Sequence, residues 1–289
     1  MASIDKGLLV QRWLRHKRLF LSCLIGCFIS CSAISTAIAA PSSKYWAYWD
    51  RSNENSYESI DHSQWNKILQ TYVIDKHASG VNRFKYGAVS SKDKKNLKRY
   101  IKTLEKTDPR TYNRREQQAY WLNLYNAVTV QLVLDNYPIK SMKDIGNKMI
   151  KRGPWNKPLI HVAGERLSLN DIEHRILRPI WQDHKVHFGL SCASISCPNI
   201  LPKAFTSRNV RPLLKQSGRD YINHPRGVSL KNGKMKASSL FDWYQKDFAK
   251  NETKLMKVFA YYSEDRLALY LLGYQGKIDY NYDWRLNAP

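Results

Sequence analysis

Cys192 and Cys197 are the only two of five cysteines that lie beyond the N-terminal forty residues, and His187 stands five positions before the first of them. A thiol with an imidazole and a carboxylate makes a nucleophilic centre. The base lowers the thiol pKa from about 8.5, the thiolate attacks, and the carboxylate orients the base. The sequence offers Cys192 as nucleophile, His187 or His174 as base, and Glu173 or Glu116 as the orienting group. Asn123 and Asn126 lie one helical turn apart and could line the pocket, donating to a developing oxyanion. The chemistry would be thiol-dependent hydrolysis or acyl or amide transfer.

The same residues admit a non-catalytic reading. Cys192 and Cys197 enclose four residues, a loop that can close as a disulfide and that an oxidising compartment would favour. No thiol would then be free. Two inert buried thiols are a third reading. Under either, the asparagines pin neighbouring loops, since a buried amide without partners costs about 1–3 kcal/mol. His161, His174, His184 and His187 crowd one region, but the cysteine spacing is wider than in zinc sites and no H-x3-H pattern accompanies it. Neither a Gly-rich phosphate loop nor a G-x-S-x-G elbow is present. No metal or cofactor is implied.

These side chains need elements to hold them. Residues Asn113–Asn136 read as a helix that is apolar almost all round, hence buried, interrupted by Asn123 and Asn126 and closed by Pro138. Ile60–Ile74 is a predicted helix, with Trp65, Ile68, Leu69 and Tyr72 on one face. Lys92–Lys106 is another, with a Leu97, Tyr100, Ile101 and Leu104 stripe and an opposite ridge of Lys92, Lys95, Arg99, Lys102 and Lys106. Pro158–Leu169 reads as a hairpin, followed by a helix from Asp171 to about Leu177 that carries Glu173 and His174 and ends before Pro179. Lys185–Leu190 is a predicted strand into the cysteine loop. Val210–Ile222 reads as a helix, Val228–Ala237 as a hairpin about Asn232-Gly233, and Leu240–Phe248 as a helix capped by Ser238. Asn251–Tyr262 and Glu264–Leu272 read as helices, and Ile278–Leu286 as a final strand or tail. Helices dominate over a few short strands and hairpins, which gives an α+β class.

The chain carries 47 Lys and Arg against 24 Asp and Glu, a net charge of +23 in 289 residues. Lys6, Arg12, Arg15, Lys17 and Arg18 precede an apolar run from Leu19 to about Ala40, and Ala37 and Ala39 have the spacing of a signal-peptidase site. A signal peptide over 1–40 is expected, cleaved near Ala39 or Ala40. An uncleaved anchor and a lipoprotein joined at Cys27 are the alternatives. The rest keeps a charge of about +19 once five basic residues and one acidic residue are removed. Export, to the periplasm or cell envelope, argues against nucleic acid as the partner. An anionic envelope component or membrane surface suits the charge better, with the Lys92–Lys106 ridge as its contact, and a merely solvated surface is the bland reading. Residues 41–91 form an aromatic-rich arm and first helix, and 92–289 the main domain.

The order of motifs resembles domain-of-unknown-function family 547. Arg115-Glu116-Gln117-Gln118-Ala119-Tyr120-Trp121-Leu122-Asn123-Leu124-Tyr125-Asn126-Ala127 is similar to its first block, and Leu167–Arg178 to a second. The cysteine loop, Leu240–Phe248 and Ile278–Asn287 resemble its later blocks, so the resemblance spans about 100–287. The family occurs in exported bacterial proteins and in plant proteins with a leucine zipper. The absence of a comparable heptad run here resembles the bacterial type. The resemblance implies no activity. Ala193-Ser194 departs from it where Gly or another small residue and a variable one are expected, which bears on the backbone shape of the loop. A looser similarity to the papain and transglutaminase superfamily implies a cysteine on a helix packed against strands bearing a histidine, but the long helix here lacks one and has Asn123 instead, so that arrangement does not carry over.

Overall fold

A buried helix of 23 residues organises the protein. The computed structural model describes residues 41–146 and 153–289; the export segment expected at 1–40, with its cleavage, anchor and lipidation readings, lies outside them. In chain order the helices are α1 Ser63–Tyr72, α2 Ser91–Lys106, α3 Arg114–Asn136, a π-helix at Asp171–Leu177 running into α4 Arg178–Trp181, α5 Val186–Gly189, α6 Val210–Ile222, α7 Ser239–Trp243, α8 Gln245–Phe248, α9 Glu252–Tyr262 and α10 Asp265–Gly273. The strands are β1 Val73–Ile74, β2 Arg83–Phe84, β3 Ile160–Val162, β4 Glu165–Leu167, β5 Val228–Lys231, β6 Lys234–Ser238 and β7 Ile278–Asn281. The class is α+β, mostly helical.

Local chemistry sets these boundaries. Asn113 caps α3 by accepting from the backbone N–H groups of Arg115 and Glu116, and Ser90 caps α2 by accepting from Asp93. Helix α2 buries Leu97, Tyr100, Ile101 and Leu104 against α3 and leaves its basic ridge in solvent. Helix α1 buries Trp65, Ile68, Leu69 and Tyr72 against α2. The 41–58 arm is extended apart from one 3-10 turn at Ala47–Trp49, and it is anchored where the buried Trp49 meets Trp121 edge-on at 5.0 Å. Among the described residues no helix is long and apolar enough to cross a membrane.

Among the described residues there are two apolar cores. The larger surrounds α3 and takes in α1, α2, the β3–β4 hairpin and the π-helix. The smaller gathers Phe188, Tyr221, Phe241, Phe248 and Phe259 beneath a three-stranded sheet. In that sheet β5 and β6 form the expected hairpin, with Asn232 and Gly233 at positive φ, and β7 adds in parallel beside β6 with Met235 opposite Ile278. The parallel pairing needs the long α7–α10 crossover.

Four boundaries differ from the pattern in the sequence. The first helix ends at Tyr72, and Val73–Ile74 pairs with Arg83–Phe84 as a short antiparallel ladder. The segment expected as a strand at Lys185–Leu190 is helical: Val186, His187, Phe188 and Gly189 are all buried, and Asp183 caps the turn through the Lys185 N–H. Side chains buried all round suit a short helix packed on both sides, not an alternating strand. The helix after the β3–β4 hairpin does not stop before Pro179. It widens so that the Arg178 N–H donates to the Glu173 carbonyl five residues back, and Pro179 falls in the first turn of α4, where its missing N–H is tolerated. Leu240–Phe248 is two short helices broken at Tyr244.

Candidate functional site: a charge network beside a disulfide loop

Helix α5 carries His187 into the junction of the two cores, where the π-helix and α8 bring carboxylates to both sides of its ring. Nε2–H donates to Asp247 Oδ2 at 2.7 Å, and Nδ1 faces Glu173 Oε1 at 3.6 Å. The imidazole lies face-on to Tyr244 at 4.4 Å and to Phe248 at 5.4 Å between ring centres. Burial opposes the charged ring, but Asp247 and Glu173 outweigh it and raise the His187 pKa. Burial likewise opposes ionised Glu173, and it is overcome by His174, His187 and Arg178, which bring the carboxyl to about 2. Asp247 is also held below its ordinary value, burial being outweighed by His187 and Arg178.

Arg178 completes the charge balance. It grips Asp247 bidentately and donates through Nη1 to the Pro41 carbonyl at 2.8 Å and to His174 Nδ1 at 3.1 Å. A guanidinium cannot accept, so His174 Nδ1 is the acceptor and the ring is neutral. Burial lowers the His174 pKa accordingly. Two carboxylates thus face the His187 imidazole, whose charged form they favour, and the Arg178 guanidinium. Tyr125 adds an O–H donated to Glu173 Oε2 at 3.3 Å. Arg178 and Asp247 reach the wall of a cleft of about 680 Å³ that Ser43, Tyr45, Asp183 and Lys246 also line.

The cysteine loop lies beyond α5. Cys192 and Cys197 are joined as a disulfide, with alpha carbons 6.1 Å apart. Cys197 Sγ accepts from the Cys192 N–H at 2.8 Å and from the Tyr282 hydroxyl at 3.3 Å, and Tyr282 in turn accepts from Ser194 Oγ at 3.1 Å. The C-terminal segment clamps the loop: Ile195 N–H donates to the Arg285 carbonyl and Asn287 N–H to that of Ala193. Ala193 adopts φ +61°, the left-handed region that favours glycine.

The residues read from the sequence as one centre separate into groups. His187, His174 and Glu173 come together, but away from Cys192. Among the described residues the side chains hydrogen-bonded to Cys192 Sγ are Ser194 and Tyr282, and neither histidine is one of them. Each ring is held elsewhere, His187 by carboxylates and His174 by Arg178. Glu116 does not orient a base at this centre. Its Oε1 accepts from the Ile60 N–H at 2.9 Å and ties the arm to the first turn of α3. Asn123 binds the Phe205 backbone twice, through its N–H at 3.0 Å and its carbonyl at 2.8 Å. Asn126 holds the Gly189 carbonyl at 2.8 Å and the Ser191 N–H at 2.9 Å. Both amides are spent on loops rather than turned to a pocket. Gly189 is needed there, because a Cβ would come within 2.6 Å of Leu214 and 3.0 Å of Leu122.

Lys92, Lys95, Arg99, Lys102 and Lys106 are all exposed along α2. Lys102 pairs with Glu105 at 2.6 Å and Arg99 donates to Asn96, while among the described residues Lys92, Lys95 and Lys106 have no carboxylate partner. Among the described residues no group of three or more His, Cys, Asp or Glu side chains could hold a metal ion. Asp247, Arg178, Tyr125 and Tyr282 were not singled out from sequence. Each lies inside one of the motif blocks, but their partnerships span distant segments, 60 residues for His187 with Asp247 and 69 for Arg178 with Asp247.

No curated protein and no solved structure matches the chain. Residues 109–222 match the family described as "Protein of unknown function, DUF547". The match takes in α3, the π-helix with Glu173 and His174, α5 with His187, the disulfide loop and α6; Asp247 and Tyr282 lie beyond it. Across residues 109–222 this chain is similar to the DUF547 family.

Proposed function

We propose that the protein is an exported, non-catalytic binding module that contacts an anionic envelope component or membrane surface, with the Cys192–Cys197 loop as a structural staple. The observation that carries this reading is the commitment of His187. Its Nε2–H is donated to Asp247 and its Nδ1 faces Glu173, so the ring that would activate a thiol is already committed between two carboxylates, which favour its charged form. A thiol mechanism needs a base beside Cys192 and a free sulfur. The Cys192 sulfur is bonded to Cys197, and its side-chain neighbours are hydroxyls. The α2 ridge supports the choice of partner, because Lys92, Lys95 and Lys106 are exposed cations without carboxylate partners among the described residues.

Co-sedimentation with phosphatidylglycerol vesicles tests the reading, alongside thiol alkylation of the unreduced protein followed by intact-mass measurement. The triple variant Lys95→Glu, Arg99→Glu, Lys102→Glu should lose most vesicle binding at low salt while keeping its melting temperature. Full vesicle binding by that variant removes the ridge from the proposal. Rapid alkylation of Cys192 without reduction would restore the thiol enzyme in its place.

A further inference from the structure

A second basic feature is built quite differently from the α2 ridge. Arg226 follows the C-terminus of α6 and is largely withdrawn from solvent. Its Nη2 donates to Asn199 Oδ1 at 2.8 Å, and its guanidinium lies 5.4 Å from the ring centre of Tyr221. Among the described residues its Nε and Nη1 are buried without a hydrogen-bond partner, and no carboxylate lies within ion-pairing distance. Arg83 on β2 repeats the pattern. Its Nη2 reaches Ser79 Oγ at 3.3 Å, and among the described residues its Nε is buried without a partner and no carboxylate lies in ion-pairing range.

One residue ties the two arginines to the same place. Asn199 Oδ1, which accepts from Arg226, also accepts from the N–H of Asn82 at 2.9 Å, directly before Arg83. Asp283, whose charge acts on Arg83, is gripped bidentately by Arg285, and Asp220 acts on Arg226 only from beyond ion-pairing range. Burial pulls the Arg226 pKa down to about 10, with Arg83 adding to the effect, and Arg83 is lowered by its own burial and by Arg285. Buried cations ordinarily have a counter-charge and buried donors an acceptor. Here β2, the segment after the disulfide loop and the end of α6 converge on two guanidiniums that, among the described residues, have no carboxylate in ion-pairing range and keep buried N–H donors without an acceptor.

We propose that Arg226 and Arg83, braced by Asn199, form a binding site for the phosphate group of a small soluble ligand. A phosphate monoester carries a charge of about −1.5 to −2 at neutral pH, which matches two guanidiniums better than a single carboxylate does. A cleft of about 480 Å³ adjoins the two arginines through Asn82, Asn199 and Pro225 in its wall, and the guanidiniums themselves are not among its lining groups. Asp75 and Asp220 line the same cleft and repel any anion, a many-charged polymer or bilayer more than a single phosphate group. The site stands apart from the α2 ridge and does not rest on its role.

Calorimetric titration of the protein with inorganic phosphate is the test, with sodium chloride at matched ionic strength as the control. Saturable binding is expected, with a rise in melting temperature at about 10 mM phosphate. Arg83→Gln should weaken binding by about tenfold or more, and Lys95→Gln on the ridge should leave it unchanged. Arg226→Lys, which keeps the charge but not the planar donor set, should also weaken it. If Arg226→Lys fails to fold, Arg83→Gln decides the matter, because its side chain is more exposed. Equal melting curves in phosphate and chloride overturn the proposal, as does wild-type affinity in Arg83→Gln. Arg83-dependent retention on phosphatidic acid vesicles without binding of free phosphate also overturns it.

Discussion

Asp247 Oδ2 accepts from both His187 Nε2 and Arg178 Nε, so a single carboxylate oxygen joins α5, α4 and α8. Removing its charge leaves an imidazolium and a guanidinium facing each other with only Glu173 between them. Breaking a buried pair costs about 3–5 kcal/mol, and the partial exposure of Asp247 reduces this to about 2–3 kcal/mol. Asp247→Asn should lose that much in urea denaturation. His187→Phe keeps the stacking on Tyr244 and Phe248 but leaves Asp247 to Arg178 alone, and it should lose less. Equal stability of Asp247→Asn and wild type would remove the network's structural role.

The same network gives stability a two-sided pH dependence. Glu173 is lowered from 4.5 to about 2 in the folded state, so its contribution is complete above about 4.5 and is lost as pH falls toward 2. That shift corresponds to about 3 kcal/mol. His187 is raised above 6.5, so its contribution is complete below about 6.5 and is lost as pH rises through its higher folded value. Melting temperature should therefore be highest between about pH 5 and 6.5 and fall on both sides. In Glu173→Gln the acid limb should flatten. An acid limb of unchanged steepness in that variant would count against Glu173 as its source.

Closing the loop between Cys192 and Cys197 should stabilise the fold by about 2 kcal/mol in the chain-entropy picture, at the low end because the loop is short. Cys192→Ser, Cys197→Ser and the double variant should lose equal amounts, since each breaks the same bond. A reductant should bring the wild type down to their level and leave the variants where they are. If Cys197→Ser were clearly less stable than Cys192→Ser, the bonds that Cys197 Sγ accepts from Tyr282 and the Cys192 N–H would outweigh the disulfide itself.

Asn126 fixes where the disulfide loop begins, because one amide serves the Gly189 carbonyl and the Ser191 N–H. Asn126→Ala leaves both backbone groups unsatisfied in the core and should cost about 2–4 kcal/mol. Asn126→Asp keeps the acceptor for Ser191, loses the donor to Gly189 and buries a charge, so it should cost at least as much. Amide exchange at Ser191 should speed up in both. Protection that persisted in Asn126→Ala would mean that the loop is held from the C-terminal side alone.

Patterns confined to one element were readable from sequence. The stripe of α2, the uniform apolarity of α3 and the Asn232-Gly233 turn each sit within a short window, and each is found. So is the cysteine spacing that permits a disulfide. The pairing of His187 with Asp247 could not be read that way, because it depends on how α5 and α8 approach across the interface of two cores. The same dependence misled the reading of Lys185–Leu190. Six mostly apolar residues suit a buried strand or a short buried helix equally, and packing against α6 decided between them. Asn123 and Asn126 were visible as polar interruptions of an apolar helix. Whether they faced a pocket or a backbone depended on where the Phe205 and Gly189 segments came to rest.

Ala193 shows how a departure in sequence becomes a physical constraint. The residue is buried at φ +61°, one position after Cys192, and its carbonyl accepts from the Asn287 N–H. An L-residue with a Cβ pays about 1–2 kcal/mol in the left-handed region, and glycine does not. Glycine in turn gives the unfolded chain more freedom, which offsets about 0.4–1 kcal/mol. Ala193→Gly should therefore raise stability by up to about 1 kcal/mol without disturbing the disulfide or the clamp from Asn287. Ala193→Val places a β-branched side chain at the same backbone angle in a packed site, and it should lose about 2 kcal/mol or more. The order Gly, Ala, Val in denaturation midpoint is the expected signature. Val equal to Ala would mean that the loop relaxes out of the left-handed conformation at little cost, and the tail clamp, rather than the loop's own geometry, would then be what holds Cys192 against Cys197.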